Sequence, residues 1–494
     1  MRTPISLLAT LTLLLLLQAC GSSTETVQVR DQARTFEPAP QPVSPEPGQE
    51  PFTLRMGELQ KPGSMDPLFA HSPGAQRFIR FIYDGLTGLD AEGRAVPQLA
   101  ESWEISPDSL QYTFTLRTDA FFHDDPAFAA GRGRSVNAED VAFVFRRMAL
   151  YNVPVYAANL FSTYIKGMEA FVLEERHTFF EQDVLFGGIE GIEVLDEHRV
   201  RFTLNAPEPD FPVLLASPYA VIYPQEVFEH RSNGLHGQPV GTGKFRFAAS
   251  SGDSLIVLER NLIDFDTDRV GGNIMTAEWH FFDSETELFA AMGSGQLDLI
   301  PQMGPRTAKT LLSESGDQLA PGFDEMYTLI PTFESGFGFH FIADNFARIS
   351  AEQAGALLQP VTSEQFTDEL PANLSFTLHP DWAGLREDER PSENLLPAGL
   401  TAGAWPMGFG TYAATLWLSQ FQDTHDPSLL ILNRPNRDML FYSTDDHHAR
   451  SIGLNSAVAV RFSYQNHALH PHNISGITFN NTPWWISLEA FEAE

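Results

Sequence analysis

Two neighbouring stretches decide the predicted fold: YDGLTGLDAEGRAVPQLAESWEISPDSLQYTFTLRTDAFFHDD at 83–125 and SVNAEDVAFVFRRM at 135–148. Within 111–117, apolar and polar side chains alternate, which is the period-2 pattern of a half-buried strand. Asn137 then stands at a helix N-cap position, with two carboxylates in the first turn. Apolar side chains follow at i, i+3, i+4 and i+7, namely Val141, Val144, Phe145 and Met148. The stretch therefore predicts a strand followed by a capped helix.

The length and the net charge of the chain limit the classes of protein to which it can belong. A chain of 494 residues exceeds what one hydrophobic core holds, since single cores stop growing at roughly 250–300 residues. The formal net charge is −33, and a surface of this sign repels phosphate backbones. Nucleic-acid binding is therefore excluded as a function class. We interpret the acidic side chains as a solvated surface and not as a functional patch.

The N-terminus has the pattern of an exported, lipid-anchored protein. Residues 1–19 contain Arg2 and then a leucine-rich apolar run of signal-peptide length. The run ends in LQACGS, which resembles a bacterial lipobox and makes Cys20, the only cysteine, the expected lipidation site. Residues 20–51 are rich in Pro, Ser and Glu and predict a flexible tether. The expected location is the bacterial cell envelope, outside the cytoplasm and anchored to the membrane.

The rest of the chain mixes strand and helix patterns. Residues 192–204 read as a hairpin around a polar turn, and 255–258 read as a further strand. Residues 286–292 have a helical pattern and lead through a Gly-Ser-Gly turn into Leu297-Asp298-Leu299. Interspersed strands and helices predict an α/β protein.

The chain resembles the bacterial extracellular solute-binding proteins of family 5, the dipeptide- and oligopeptide-binding type that serves ABC importers. The matching segments are SMDP (64–67), YDGLTGLDAEGRAVPQLAESWEIS (83–106), YTFTLRTDAFFHDD (112–125), NAEDVAFVF (137–145), VGTGKF (240–245), LERN (258–261) and SGQLDL (294–299). The resemblance implies a two-lobe α/β fold of the type II periplasmic-binding-protein class, with the ligand cleft between the lobes. It places lobe I at 52–265 and 468–494, with a subdomain near 89–182, and lobe II at 266–467.

Three departures from the family pattern are visible. Lys244 stands where family members usually carry Pro, and residues 126–134 lengthen a loop. The second lobe is divergent at 300–400, where the family's arginine- and alanine-rich helix is not found. Ligand identity is the property that this last departure affects most.

The resemblance also implies the ligand residues. In peptide-binding members an aspartate three residues before an acidic residue–Pro step meets the ligand's amino terminus, and Asp423 matches that position ahead of Asp426-Pro427. A carboxylate facing an ammonium group gives a charge-assisted hydrogen bond. Nearby aromatic side chains are expected to line the cleft: Trp405, Trp417 and Phe421. The competing interpretations are a solvated loop aspartate and ordinary core packing.

Three clusters have residue types found in metal or acid–base sites: His123-Asp124-Asp125, Asp445-Asp446-His447-His448 and His467–His472. Their spacing fits no metal motif, and no nucleophile with a paired base can be assembled. We therefore expect no enzyme activity, no catalytic or metal-ligating residue and no cofactor.

The functional prediction is an ABC importer substrate-binding lipoprotein. It would act as a monomer that captures a short peptide and delivers it to the permease subunits. Within binding proteins, the alternatives are a metal chelate, haem, an opine or an oligosaccharide. From another class, the alternatives are a degenerate structural envelope lipoprotein or an envelope hydrolase.

Overall fold

The structure is a computed structural model that describes residues 50–59, 61–177, 187–271, 273–342, 374–378, 401–404, 430–431, 439–443 and 456–493. The helices in this part are α1 Pro73–Ile82, α2 Ala138–Arg147, α3 Val155–Ser162, α4 Met168–His177, α5 Phe211–Leu214, α6 Glu226–His230, α7 Glu285–Gly293 and α8 Pro305–Leu311. No helix among these residues is long and apolar enough to span a membrane.

The strands are numbered in chain order: β1 Phe52–Glu58, β2 Thr87–Leu89, β3 Ala95–Pro97, β4 Ala100–Ile105, β5 Gln111–Leu116, β6 Ile192–Asp196, β7 Arg199–Thr203, β8 Phe245–Ser251, β9 Leu255–Arg260, β10 Ile274–Phe281, β11 Tyr327–Ile342, β12 Leu374–Leu378, β13 Thr401–Ala404, β14 Leu430–Ile431, β15 Met439–Ser443, β16 Ser456–Pro471, β17 Ile474–Ser475, β18 Thr478–Phe479, β19 Ile486–Ser487 and β20 Glu492–Ala493.

The first sheet has the order β1-β10-β9-β8, with β1 parallel to β10 and the other pairs antiparallel. Helix α1 covers it. The helix begins after Ser72, whose side chain accepts a hydrogen bond from the Ala75 amide, a standard N-cap. Phe78 and Phe81 of α1 meet the buried Trp279 of β10 edge-to-face, at centroid distances of 5.5 and 4.6 Å. These rings begin the first hydrophobic core.

The second sheet, β4-β5-β7-β6, is antiparallel throughout and packs on α2. Strand β5 confirms the predicted strand, and β6–β7 confirms the predicted hairpin. Asn137 and Asp140 form a reciprocal capping box at the start of α2. The predicted apolar face is fully buried: Val141, Val144, Phe145 and Met148. Phe145 contacts Phe202 of β7 at 5.2 Å, so helix and sheet share the first core.

A second hydrophobic core is built from α7, α8 and the start of the third sheet. Its buried members include Leu288 and Met292 of α7, Leu311 of α8, and Leu469 of β16. The third sheet has the order β12-β16-β11-β15-β13-β14 and is mixed, since β13 runs parallel to β14 and β15. Two separate cores are the form that a chain of this length is expected to take.

A short segment joins the two cores, and we call Asp298–Met303 the bridging segment. On one side, the Gly57 amide of β1 donates to the Leu299 carbonyl at 2.9 Å. On the other side, Ile300 and Leu469 of β16 exchange two backbone hydrogen bonds of 2.9 Å. Asp298 is held to β1 by Arg55, whose guanidinium contacts both carboxylate oxygens at 2.6 and 2.9 Å. Isolated β-bridges therefore link this segment to both the first and the third sheets.

The last described residues return to the first core. Leu488 is fully buried there, and its carbonyl accepts a 2.6 Å hydrogen bond from the Gly271 amide. The Trp485 indole N–H donates to the Leu89 carbonyl at 2.7 Å, and Trp484 packs against Leu89. The Trp484-Trp485 pair thus has a structural position.

Buried ion pairs connect the segments of the first core. Asp66, from the SMDP turn, is completely buried and receives two hydrogen bonds from Arg147 at the end of α2. The Arg147 guanidinium also lies over the Phe228 ring at 4.2 Å and donates to the Tyr223 hydroxyl. Two segments that are far apart in the sequence are thereby fixed to each other, because a buried charge is tolerated only beside its partner.

Replacing Asp66 by Ala should destabilise the fold by about 3–5 kcal/mol, because it leaves the Arg147 charge buried without its carboxylate. Urea unfolding of the full chain measures this loss. The matched control is Asp124→Ala, which breaks an exposed pair with Arg132 and should cost less than about 1 kcal/mol. Equal losses in the two variants would contradict the structural role of the Asp66–Arg147 pair.

Lys244, which stands where family members usually carry Pro, is half-buried at the border of the first core. Its Nζ atom is 3.3 Å from the Ile486 carbonyl and 4.5 Å from the centre of the Phe81 ring. Burial, together with the nearby guanidinium groups of Arg269 and Arg80, lowers its pKa to about 7. The ammonium form is therefore disfavoured in the folded chain.

The lowered pKa of Lys244 predicts that the free energy of unfolding depends on pH. Between the folded pKa of Lys244, about 7, and the unfolded value, about 10.4, the unfolded chain binds more protons. Stability should therefore rise with pH over that interval, by up to about 1.4 kcal/mol per pH unit. Lys244→Met should remove this rise and raise stability at pH 7, as measured by urea unfolding at pH 7 and 9.

The control for this measurement is Lys166→Met, because Lys166 is half-exposed and pairs with Glu190 on the surface. Asp264 also titrates, since burial raises its pKa to about 6. Its stabilising contribution is lost as the pH rises through that value, so the comparison is made above pH 7. A slope that survives in Lys244→Met would contradict the assignment.

Candidate functional site

A half-open cavity of about 420 Å³ lies at the end of the first sheet. Three segments form its walls: the connection from β1 to α1, the β8–β9 turn and the exit of β10. The lining residues are Leu59, Lys61, Gly63, His71, Ser72, Ala75, Asp253, Phe281, Phe282 and Asp283. The volume falls in the range of small-molecule sites, which are roughly 300–1,000 Å³.

Local chain geometry explains why these segments meet. The Phe282 amide donates to the Glu58 carbonyl at 3.0 Å, which ties the exit of β10 to the end of β1. The chain then turns into α7, whose N-cap is Ser284. The cavity therefore lies where the chain leaves the first sheet for the second core.

The lining combines apolar walls with a charged rim. Leu59, Phe281 and Phe282 supply apolar surface. Lys61 spans the opening, with its Nζ atom 2.5 Å from the Gly252 carbonyl and 3.2 Å from the Asp253 carboxylate. Asp253 is fully exposed, so this pair is worth little in water and can exchange partners. Half of the lining residues are polar or charged, so the cavity offers both apolar and polar contacts.

A buried ion pair joins the two elements that lead into the cavity lining, β1 and α1. Arg77 of α1 donates from Nε and Nη2 to the Glu58 carboxylate at 2.9 and 3.1 Å. The first turn of α1 approaches this carboxylate closely, since a Cβ at Gly74 would lie 3.0 Å from its Oε2 atom. A carboxylate at a helix N-terminus is favoured by the helix dipole. The pair fixes α1 against β1, and the N-cap Ser72 and the first-turn residue Ala75 of this helix line the cavity.

The residues predicted from the family resemblance fall elsewhere. Asp423, Trp405, Trp417 and Phe421 lie outside the described residues, as does the predicted lipidation site Cys20. They stay predictions.

The clusters with metal-type residues have structural partners where they are described. His123, Asp124 and Asp125 contact three different groups, namely the Gly243 carbonyl at 3.0 Å, Arg132 at 2.9 Å and Arg231 at 3.1 Å. Burial lowers the His123 pKa to about 4, which keeps the ring neutral. His467 and His470 are buried in β16, and burial lowers the pKa of both rings. Residues 445–448 lie outside the described part.

Within the described residues, no three His, Cys, Asp or Glu side chains are grouped to hold a metal ion. The side chains of the cavity offer hydrogen bonding, charge pairing and apolar contact.

Patterns in the sequence did not single out the cavity residues. Phe281 and Phe282 at a strand end are indistinguishable from core residues, and Lys61 and His71 are isolated polar residues in a connection. One available signal is the SMDP turn at 64–67, which the resemblance had marked and which lies within the β1–α1 connection. The other is the cap pattern Asp283-Ser284 after the two phenylalanines.

A sequence profile described as bacterial extracellular solute-binding proteins, family 5, matches residues 94–361, more than half of the chain. Among curated relatives, Di/tripeptide-binding protein 2 of Pseudomonas aeruginosa is 33% identical over 182 residues, which is 35% of this chain and 31% of the relative. Heme-binding protein A of Haemophilus influenzae is 32% identical over 165 residues, covering 32% of this chain and 27% of the relative. The sequence matches thus span about a third of each relative or less.

Solved structures match over a greater length. The murein tripeptide binding protein MppA of Escherichia coli has a TM-score of 0.67 at 16% identity, covering 90% of this chain and 99% of that one. The periplasmic binding protein DppA of Helicobacter pylori, solved with the peptide STSA, has a TM-score of 0.64 at 16% identity and the same coverage.

This likeness shows the fold, which is the two-lobe α/β fold of the large periplasmic binding proteins and confirms the predicted fold class. The chain belongs to the bacterial extracellular solute-binding proteins of family 5.

Proposed function

We propose that this protein captures a short peptide in a cleft between two lobes and delivers it to the permease of an ABC importer. The observation that carries the proposal is the cavity at the exit of β10, in a chain of a solute-binding family. It lies between the first core and the start of the second, where closure of two lobes would bury a ligand. The protein acts by binding and does no chemistry.

The lobes keep the extent given by the resemblance, 52–265 with 468–494 and 266–467, with one refinement. Strand β10 pairs with β1 and β9 in the first sheet. We therefore move the first crossing between the lobes to 282–284, beside the cavity.

A peptide fits this setting for a physical reason. Its charged ends and main-chain groups can pair with polar side chains, while apolar walls accept varied side chains. We assign its amino terminus to Asp423, with Trp405, Trp417 and Phe421 as apolar contacts, by the family pattern.

Export and anchoring complete the proposal. Cys20 would carry the lipid that holds the protein at the membrane, and residues 20–51 would let the folded body reach the permease.

Peptide capture predicts a ligand-dependent melting temperature. Purified protein is screened against di- to pentapeptides, with haem, an opine, an oligosaccharide and divalent metal ions as competing ligand classes. A peptide at 100 times its Kd should stabilise the fold by about 2.7 kcal/mol. A shift caused only by another class would reassign the ligand, and no shift with any class would contradict solute capture.

Asp423→Ala should weaken peptide binding about tenfold or more, because a charge-assisted hydrogen bond to an ammonium group is worth about 1.5–3 kcal/mol. Isothermal calorimetry with a peptide identified in the screen measures the loss. Acetylating the peptide's amino terminus should weaken binding to the unaltered protein and cause little further loss in the variant.

Asp268→Ala is the matched control, since Asp268 is an exposed aspartate away from the cavity lining. Affinity that Asp423→Ala leaves unchanged, or equal sensitivity of both proteins to acetylation, would remove Asp423 from the site.

A further inference from the structure

Gln302 lies in the bridging segment, at the meeting point of the two cores. Its Oε1 atom accepts a hydrogen bond from Arg77 Nη2 at 3.3 Å, and its Nε2 atom donates to Asn466 Oδ1 at 2.9 Å. Asn466, in β16, is 1% exposed and donates to the Phe333 carbonyl of β11 at 3.0 Å. Gln302 thus connects α1 of the first core to β16 of the third sheet and, through Asn466, to the adjacent strand β11.

The same network reaches the cavity through Glu58. Its carboxylate holds Arg77, and its carbonyl accepts the hydrogen bond from Phe282, which lines the cavity. Arg77 also donates to the Pro483 carbonyl at 2.7 Å, so the returning C-terminal segment joins the same guanidinium. Arg77 of α1 is therefore connected by at most two hydrogen bonds to the cavity wall, to the bridging segment and to the C-terminal segment.

The links in this network differ in strength. The Glu58–Arg77 pair is buried and charged, and breaking such a pair is costly. The hydrogen bond between Gln302 and Asn466 joins two neutral amides, and such bonds are worth about 1 kcal/mol. When the two cores move relative to each other, this amide pair is the link that can open.

We propose that Gln302 is a positioning residue that couples the cavity wall to the third sheet through its paired contacts with Arg77 and Asn466. It holds the two cores in the arrangement described here, and a ligand that packs on Phe282 strengthens the link. The ligand part of this inference rests on the proposed function; the coupling between the cores does not.

The test is backbone hydrogen exchange of the full chain without ligand. The reporting amides are those of Met303 and Leu469. Met303, in the bridging segment, donates to β16, and Leu469, in β16, donates to the bridging segment. Gln302→Met keeps the side-chain length and removes the amide, and Asn466→Leu removes its partner. Each should speed exchange of the reporting amides about fivefold or more, while Phe202 in the second sheet keeps its rate.

The double variant distinguishes coupling from independent damage. If the two side chains act through one hydrogen bond, the double variant should exchange no faster than the more affected single variant. Gln98→Leu is the control, because Gln98 also bonds an arginine on α1, Arg80, but lies away from the bridging segment. Unchanged exchange of the reporting amides in Gln302→Met would overturn the coupling. So would a double variant in which the two accelerations multiply, or a Gln98→Leu variant that accelerates exchange equally.

Adding trialanine separates this inference from the proposed function. In the unaltered protein, trialanine at saturation should slow exchange at Met303 and Leu469, and in Gln302→Met the protection should fall at least threefold. Equal protection in both proteins would overturn the ligand part of the inference. If trialanine and the longer peptides fail to bind, the peptide proposal is wrong, and the ligand-free rates alone decide the coupling.

Discussion

The fold depends on one constraint, that a charged group leaves water only together with its partner. The chain carries 64 acidic and 31 basic side chains, so carboxylates are abundant, and three arginines of the first core bind them. Arg147 binds Asp66, Arg77 binds Glu58, and Arg269 binds Asp84 and Asp264. Three of these four pairs join separate elements, whereas Asp264 and Arg269 are only five residues apart. The three longer-range pairs restrict which segments of the first core can be neighbours.

This constraint gives the sequence motifs a physical meaning. The SMDP turn contributes the carboxylate, and the end of the helix that follows Asn137 contributes the arginine. Their pairing fixes the β1–α1 connection, and the far end of that connection forms a wall of the cavity. The Asp66–Arg147 pair thus positions a wall of the cavity without belonging to the cavity lining.

Sequence patterns predicted the secondary-structure elements that are determined by residues close to them in the sequence. Strand β5 follows from alternation, and α2 follows from its cap and its apolar face, because both signals lie within a few residues. The bridging segment could not be predicted, since its partners on β1 and β16 are remote in the sequence. Nothing in a run such as Leu297-Asp298-Leu299 indicates that it forms β-bridges to strands of two different sheets.

The sequence predicted what kind of site to expect, but not which residues line the described cavity. Family resemblance predicted a peptide ligand and pointed to Asp423, whereas Lys61, His71 and Phe281 line the described cavity. These three come from two separated segments, and each is unremarkable in its own neighbourhood. A concave surface is a property of the assembled chain, which is why local patterns did not identify it.

The position of β1 has a consequence for how the chain reaches its native state. This strand lies between β10 and the bridging segment, and its nearest pairing partner in sequence is Ile274, which faces Phe52. The first strand to leave the ribosome therefore has no neighbour until some 220 further residues have followed. Contacts of such long range form late. The first sheet is therefore completed only after β10 has been made.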